Sequence, residues 1–250
     1  MEPVDGQIDQ ERHPQGGRHP FLLSVLEFSD FVPAIENVLG TLLSLAENQE
    51  NRFAIAEAGA VGLLIKQLES AHVQVVEKAA GVIWNLAHED SVRTTIRQLG
   101  GLKPLIDLLG HQNPLIRFNT VGAFPLLTEQ EENRKDAFEL GVIPPLVNIL
   151  GNDTNHLVLQ NAAQSLGNIA DSNPQYQHAI REAQGLLKLV ELLQQWAPQQ
   201  QTPQEGENPD NSPQQLLAKA KNKLFKFYRP NLHKEAPKDE ESVNLALSKD

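Results

Sequence analysis

Apolar residues return along the chain in columns spaced by 41 to 43 residues. With Gly59 as reference, Gly100 and Gly141 follow at 41-residue steps and Gln184 lies 43 further on. Four residues before these anchors stand Ile55, Ile96, Ala137 and Ile180. Two after stand Val61, Leu102, Ile143 and Leu186. Five after stand Leu64, Leu105, Leu146 and Leu189, and nine after Leu68, Leu109, Leu150 and Leu193. A polar column, Arg52, Arg93, Arg134 and Gln177, runs seven residues ahead of the anchors. Columns that hold register over successive periods mark an internal repeat, and this period belongs to stacked, solenoidal architectures.

Within one period the apolar positions fall at three- and four-residue steps, the spacing of a helix face, with no two-residue alternation of a strand. In the second period the spacing predicts a short helix over 91–99 and another over 102–109. Gly100 and Gly101 form a corner between them, where a left-handed residue is easily placed. Pro104 sits near the start of the second helix, where its missing N–H costs nothing. After the turn 110–113 a longer helix runs over 114–128. FVPAIENVLGTLLSLAENQ aligns with the longest of these helices, and FLLSVLEFSDF before it reads as a cap. A stack needs such caps, because an end repeat otherwise exposes its apolar face.

The stretches IAEAGAVGLLIKQL, VVEKAAGVIWNLA and NAAQSLGNIA carry this pattern most fully. In register and composition the pattern resembles the armadillo-repeat family over about residues 33–195. The resemblance implies an all-α, right-handed α-solenoid of about three to four armadillo repeats with capping helices. One repeat is partial and three are full, the last stopping near Leu193 before its third helix. The resemblance further implies that the third helices line a concave groove, which in the family usually holds an extended peptide.

Projected onto one another, the long helices set Ser44, Asn85, Leu126 and Asn168 at the family's backbone-gripping position. An asparagine amide carries a donor and an acceptor, so it can pair with a peptide's C=O and N–H together. Two turns earlier Asn37, Lys78, Asn119 and Asn161 form a second polar column. Gly40, Gly81, Gly122 and Gln164 lie between, and the small residues are expected to leave floor space for a ligand. Local turn bonding is the competing role for the asparagines. Pro125 and Leu126 interrupt the ladder. Pro125 removes an N–H and crowds the carbonyl of Val121, so a kink is expected. Two readings of this repeat stand: an apolar pocket built with Phe118 and Phe124, or simple drift. Trp84 is expected between helices rather than as a stacking platform.

Charge adds a direction. The chain is acidic, 32 Asp and Glu against 21 Lys and Arg, and its net charge of −11 argues against general nucleic-acid binding. Glu36, Glu47, Glu77, Glu129 and Asp171 project toward the groove or its rim, opposed mainly by Lys78 and His88. A partner segment with basic residues would be steered there. The sign resembles that of importin-α, but its tryptophan four residues before the asparagine is absent: Gly81 and Gln164 stand there. The departure favours a scaffold of the β-catenin type.

The remaining segments are polar. Residues 1–19 are expected to be disordered, 20–195 to form the solenoid with its cap, and 196–212 to be a Gln- and Pro-rich flexible linker. Residues 213–230 read as a basic amphipathic helix carrying Lys219, Lys221, Lys223, Lys226 and Arg229, and 231–250 as a disordered tail. The helix has three readings: docking on the open end of the solenoid, an anionic membrane surface, or nucleic acid or a basic address signal; occupation of the chain's own acidic groove crosses these. A membrane- or nucleic-acid-directed adaptor is therefore the alternative function. No cysteine is present, so thiolate metal sites and disulfides are out of reach. No secretory pattern opens the chain. Catalytic signatures of hydrolases, zinc proteases, phosphate loops and kinases are missing. The expectation is a non-enzymatic, cofactor-free interaction scaffold, cytoplasmic or shared with the nucleus.

Overall fold

The computed structural model describes residues 19–171 and 173–196. Apart from His19 and Trp196, the expected N-terminal stretch, linker, basic helix and tail lie outside the described residues. Those described fold into thirteen helices with no strand. A capping helix α1 (His19–Phe28) precedes α2 (Val32–Leu45), the lone third-type helix of the partial repeat. The first full repeat is α3 (Gln49–Glu57), α4 (Ala60–Gln67) and α5 (Val73–Leu86). The second is α6 (Asp90–Gln98), α7 (Leu102–Leu108) and α8 (Pro114–Leu127). The third is α9 (Glu131–Glu139), α10 (Ile143–Asn152) and α11 (His156–Ala170). Then come α12 (Pro174–Glu182) and α13 (Gly185–Trp196), the first two helices of a fourth. The expected fold class holds.

The anchor column explains the corner between first and second helices. Gly59, Gly100 and Gly141 take φ of 83°, 74° and 80°. Gln184 keeps the same conformation at φ 62°, although its side chain makes this region costly. The corner is thus a property of the repeat, adopted even where glycine has been lost.

The polar column seven residues earlier closes the turn between repeats. Arg52 Nη1 donates to the carbonyls of Ala46 and Glu47 at 3.3 and 3.2 Å. Arg93 Nη1 does the same to Ala87 and His88 at 2.8 and 3.3 Å, and Arg134 Nη1 to Thr128 and Glu129 at 2.9 and 2.8 Å. Gln177 Nε2 reaches Ala170 at 2.8 Å. Each third helix ends with carbonyls that no helical N–H satisfies. A cation at that end both hydrogen-bonds them and complements the helix dipole.

The core is a continuous stripe through all repeats. Leu39, Leu42, Ile55, Leu64, Leu86, Ile96, Leu105, Leu109, Ile116, Phe124, Leu146, Leu166 and Leu189 have no measurable exposure. A fully buried side chain of this size contributes about 1.5–3 kcal/mol of transfer free energy. Each helix pair buries its apolar face only by stacking on its neighbours, so stability lies in the interfaces between repeats. Third helices stack in chain order: α5 on α2, α8 on α5, α11 on α8.

Candidate functional site

The stacked third helices bring the two polar columns onto one face. Asn37 and Ser44 are exposed there, while Lys78, Asn85, Phe118, Asn119, Leu126, Asn161 and Asn168 are half-buried. The order along the stack is the order in the sequence.

The side-chain donors of these columns reach sideways. Lys78 Nζ donates to the carbonyl of Glu36 at 3.1 Å, and Asn119 Nδ2 to the carbonyl of Glu77 at 2.9 Å. Asn85 Nδ2 donates to the carbonyl of Leu43 at 3.4 Å, a long bond. Asn168 Nδ2 donates to the carbonyl of Pro125 at 3.0 Å and to Thr128 Oγ1 at 3.2 Å. In every case the acceptor belongs to the preceding third helix. Leu43 and Pro125 lie in the last turns of α2 and α8, where backbone acceptors are left over. Asn85 and Asn168 therefore cap the helix before them, while Asn119 bonds within the body of α5, so a role in holding the fold accompanies any role in binding a ligand. Among the described residues no donor reaches Oδ1 of Asn85, Asn119 or Asn168. Ser44 Oγ donates back to the carbonyl of Gly40 at 3.2 Å.

Three expectations need correction. The glycines are not open floor. A Cβ on Gly122 would lie 2.5 Å from the Trp84 ring, and one on Gly81 would meet Leu43 Cδ1 at 3.1 Å and Asn119 Nδ2 at 3.3 Å. These glycines exist to admit a side chain of an adjacent helix. At Gly40 the nearest atom is Lys78 Nζ, 3.9 Å away. Pro125, secondly, does not interrupt α8, which runs unbroken to Leu127. It falls in the last turn, where loss of one N–H ends little of the ladder. Thirdly, Phe124 does not line the groove: it is fully buried. Phe118 does reach the face, with its ring edge-on to Trp84 at 5.3 Å between centroids and 76° between planes. With Leu126 they form a half-exposed apolar strip packed on the core. Trp84 lies between α5 and α8, as expected.

The acidic side chains are not equivalent. Glu129 pairs with Arg93 at 3.3 Å, and Glu89 is buried against Arg52 at 2.7 Å. Glu36 and Glu77 are half-exposed beside the second polar column. His88, at the end of α5, has its pKa held below 6.5, first by desolvation and then by Arg52, with Arg93 adding to it and Glu89 and Glu129 opposing. At neutral pH it adds no positive charge to the groove. Among the described residues no cluster of three metal-ligating side chains occurs, and no helix is long and apolar enough to cross a membrane.

Residues 48–88, 90–124 and 130–171 match the family described as Armadillo/beta-catenin-like repeat. These are the three full repeats to within a few residues. No curated protein matches the chain by sequence. Among solved structures, a computationally designed armadillo repeat protein for modular peptide recognition superposes with a TM-score of 0.70 at 24% identity, covering 82% of this chain and 81% of its own. A designed armadillo repeat protein in complex with the peptide (KR)4 gives 0.66 at 22%, covering 84% and 81%. An engineered protein gives 0.69 at 22%, covering 93% and 94%. At such identities the likeness speaks for the fold alone. The three matched stretches within 48–171 are armadillo repeats, and the superpositions agree with the fold of an armadillo solenoid.

Proposed function

We propose that this chain is a non-enzymatic scaffold holding an extended segment of a protein partner along the face built by α2, α5, α8 and α11. The observation that carries the reading is the alignment of Asn37, Asn85, Asn119, Asn161 and Asn168 on one face, with acceptor oxygens of the amides unclaimed. An extended peptide presents alternating N–H and C=O groups. An Oδ1 held in place by its own Nδ2 bond is a preorganised acceptor for such an N–H, so little ordering entropy opposes binding. The structural relative bound to (KR)4 supports a basic segment as the first candidate ligand. Glu36 and Glu77 supply the matching sign over the first two rungs, and the apolar strip of Trp84, Phe118 and Leu126 suits an aliphatic or aromatic side chain of the same segment.

The test is fluorescence anisotropy with labelled (KR)4 and with an acidic octapeptide of equal length. Wild type should prefer the basic peptide, and the preference should shrink with salt. Asn85→Ala with Asn168→Ala should weaken binding by about tenfold or more, two hydrogen bonds at about 1 kcal/mol each. Equal affinity of wild type and double variant, both shown folded by circular dichroism, would remove the groove from the account.

A further inference from the structure

Helical spacing extends the lane of the two polar columns by one position toward the helix starts. Four residues before Asn37, Lys78, Asn119 and Asn161 stand Pro33, Gln74, Leu115 and Leu157. Residues four apart share a helix face. Leu115 is 54% exposed and Leu157 49%. A single exposed leucine is ordinary on a protein surface. These two hold equivalent places on α8 and α11, which stack directly. Leu115 also lies one turn before Phe118 on the same helix. The apolar strip of Phe118 and Leu126 thus runs the length of α8 and on to the start of α11.

Charge divides the same lane. Between 115 and 126 the one charged side chain is Arg117, occupied by Asp153 at 2.9 Å and by the carbonyls of His111 and Gln112; between 157 and 168 there is none. The rim acids of this half are Glu129, paired with Arg93, and Asp171. In the other half the column of Phe118 holds Glu36 and Glu77, both half-exposed, and Glu47 is exposed just past the end of α2. Among the described residues no cation pairs with these three carboxylates. Lys78, the cation of this half, turns its ammonium to the Glu36 carbonyl at 3.1 Å.

We propose that the groove is divided and selects a partner segment divided in the same way: Lys or Arg side chains over α2 and α5, large aliphatic or aromatic side chains over α8 and α11. The divided groove rests on the scaffold reading above. Stacked helices lie about 8–10 Å apart and an extended chain advances about 3.3 Å per residue, so about two to three residues cover one rung and about eight the whole lane. An apolar side chain on Leu115, Phe118 and Leu157 covers surface that holds no charge. A Lys or Arg laid there loses water and gains no carboxylate within the lane. An apolar side chain over Glu36 or Glu77 strips water from a carboxylate and returns no cation. Attraction and mismatch together discriminate against the wrong arrangement and fix which end of the segment lies on α2.

Fluorescence anisotropy on the full chain tests the division with four labelled octapeptides: (KR)2(LF)2, its reverse (LF)2(KR)2, the interleaved (KLRF)2, and (KR)4. The first three share one composition, so net charge and total hydrophobicity cannot separate them. At least one of the two segregated peptides should bind about tenfold tighter than (KLRF)2. Leu115→Ser with Leu157→Ser, both at exposed positions, should erase that preference to within about twofold. Glu36→Gln with Glu77→Gln should narrow it and flatten its salt dependence. Circular dichroism checks that both variants are folded. Equal affinity for the three peptides of one composition, with (KR)4 still depending on Asn85 and Asn168, would overturn the divided groove and leave the scaffold reading standing. A preference that survives the leucine pair would place the apolar contact elsewhere and overturn the assignment. No saturable binding of any of the four peptides would remove both readings.

Discussion

Helices α5 and α8 hold equivalent places in adjacent repeats and finish differently. At the end of α5, Asn85 reaches back to α2, the neighbouring ring is Trp84, and the residue closing the turn is His88. At the end of α8 those three positions are Leu126, Pro125 and Glu129. The work is redistributed rather than lost. Thr128 Oγ1 donates to the carbonyls of Phe124 and Pro125 at 2.6 and 3.2 Å, and Asn168 from α11 adds its own bond to Pro125. Trp84 sits over Gly122, so the space left by a missing Cβ on one helix is filled by the large ring on the other. The difference teaches that the columns are paired across repeats. A residue is chosen for what the next helix places against it, as well as for its face.

Gly122→Ala attacks that pairing most severely. The new methyl would overlap the Trp84 ring, and the variant should lose about 1–3 kcal/mol by chemical denaturation. The same change at Gly40 meets only Lys78 Nζ, at an ordinary contact distance of 3.9 Å, and should gain up to about 1 kcal/mol from helix propensity. Next comes the pair of asparagines. Asn168→Ala removes the 3.0 Å bond to the Pro125 carbonyl, leaving it only Thr128 Oγ1 at 3.2 Å, and should cost about 1 kcal/mol, whereas Asn85→Ala, with its 3.4 Å bond, should cost about half that or less. Restoring symmetry is a subtler probe: Leu126→Asn supplies the missing amide and should tighten binding of (KR)4 about two- to tenfold in anisotropy titrations.

The smallest effect is protonic. The His88 imidazole should titrate below 6.5 when followed by NMR. Its folded pKa is depressed, so its contribution is complete above 6.5, where the unfolded imidazole is also neutral. Stability is lost as pH falls from there through the folded pKa, because the unfolded chain takes up the proton first. Arg52→Gln should move the midpoint part of the way back, since desolvation, the larger cause, remains.

The fold was legible because burial acts on every period alike. Leu64, Leu105, Leu146 and Leu189 repeat for the same reason, and the glycines at 59, 100 and 141 mark corners that the backbone indeed turns with positive φ. That Asn85 and Asn168 hold equivalent places on their helices was legible too, from the repeat register and the resemblance that marked the position. What a single helix cannot reveal is its lateral neighbour. That Lys78 and Asn119 donate to the carbonyls of Glu36 and Glu77 depends on the offset between stacked helices. The fate of Gly81 and Gly122 depends on which side chain arrives from the helix before. Pro125 looked disruptive because the sequence does not say that α8 stops two residues later. The arginine column was visible as a column, yet its task, closing the turn between repeats, required the carbonyls at the ends of the third helices.

The central claim is that the amides on the third helices receive an extended segment. It is tested most directly by NMR titration of 15N-labelled protein with (KR)4, following the side-chain resonances of Asn37, Asn85, Asn119, Asn161 and Asn168. The account predicts that these shift together along one saturating curve, in both columns and across successive repeats. Saturable binding that leaves all five unmoved and perturbs other surfaces instead would contradict it.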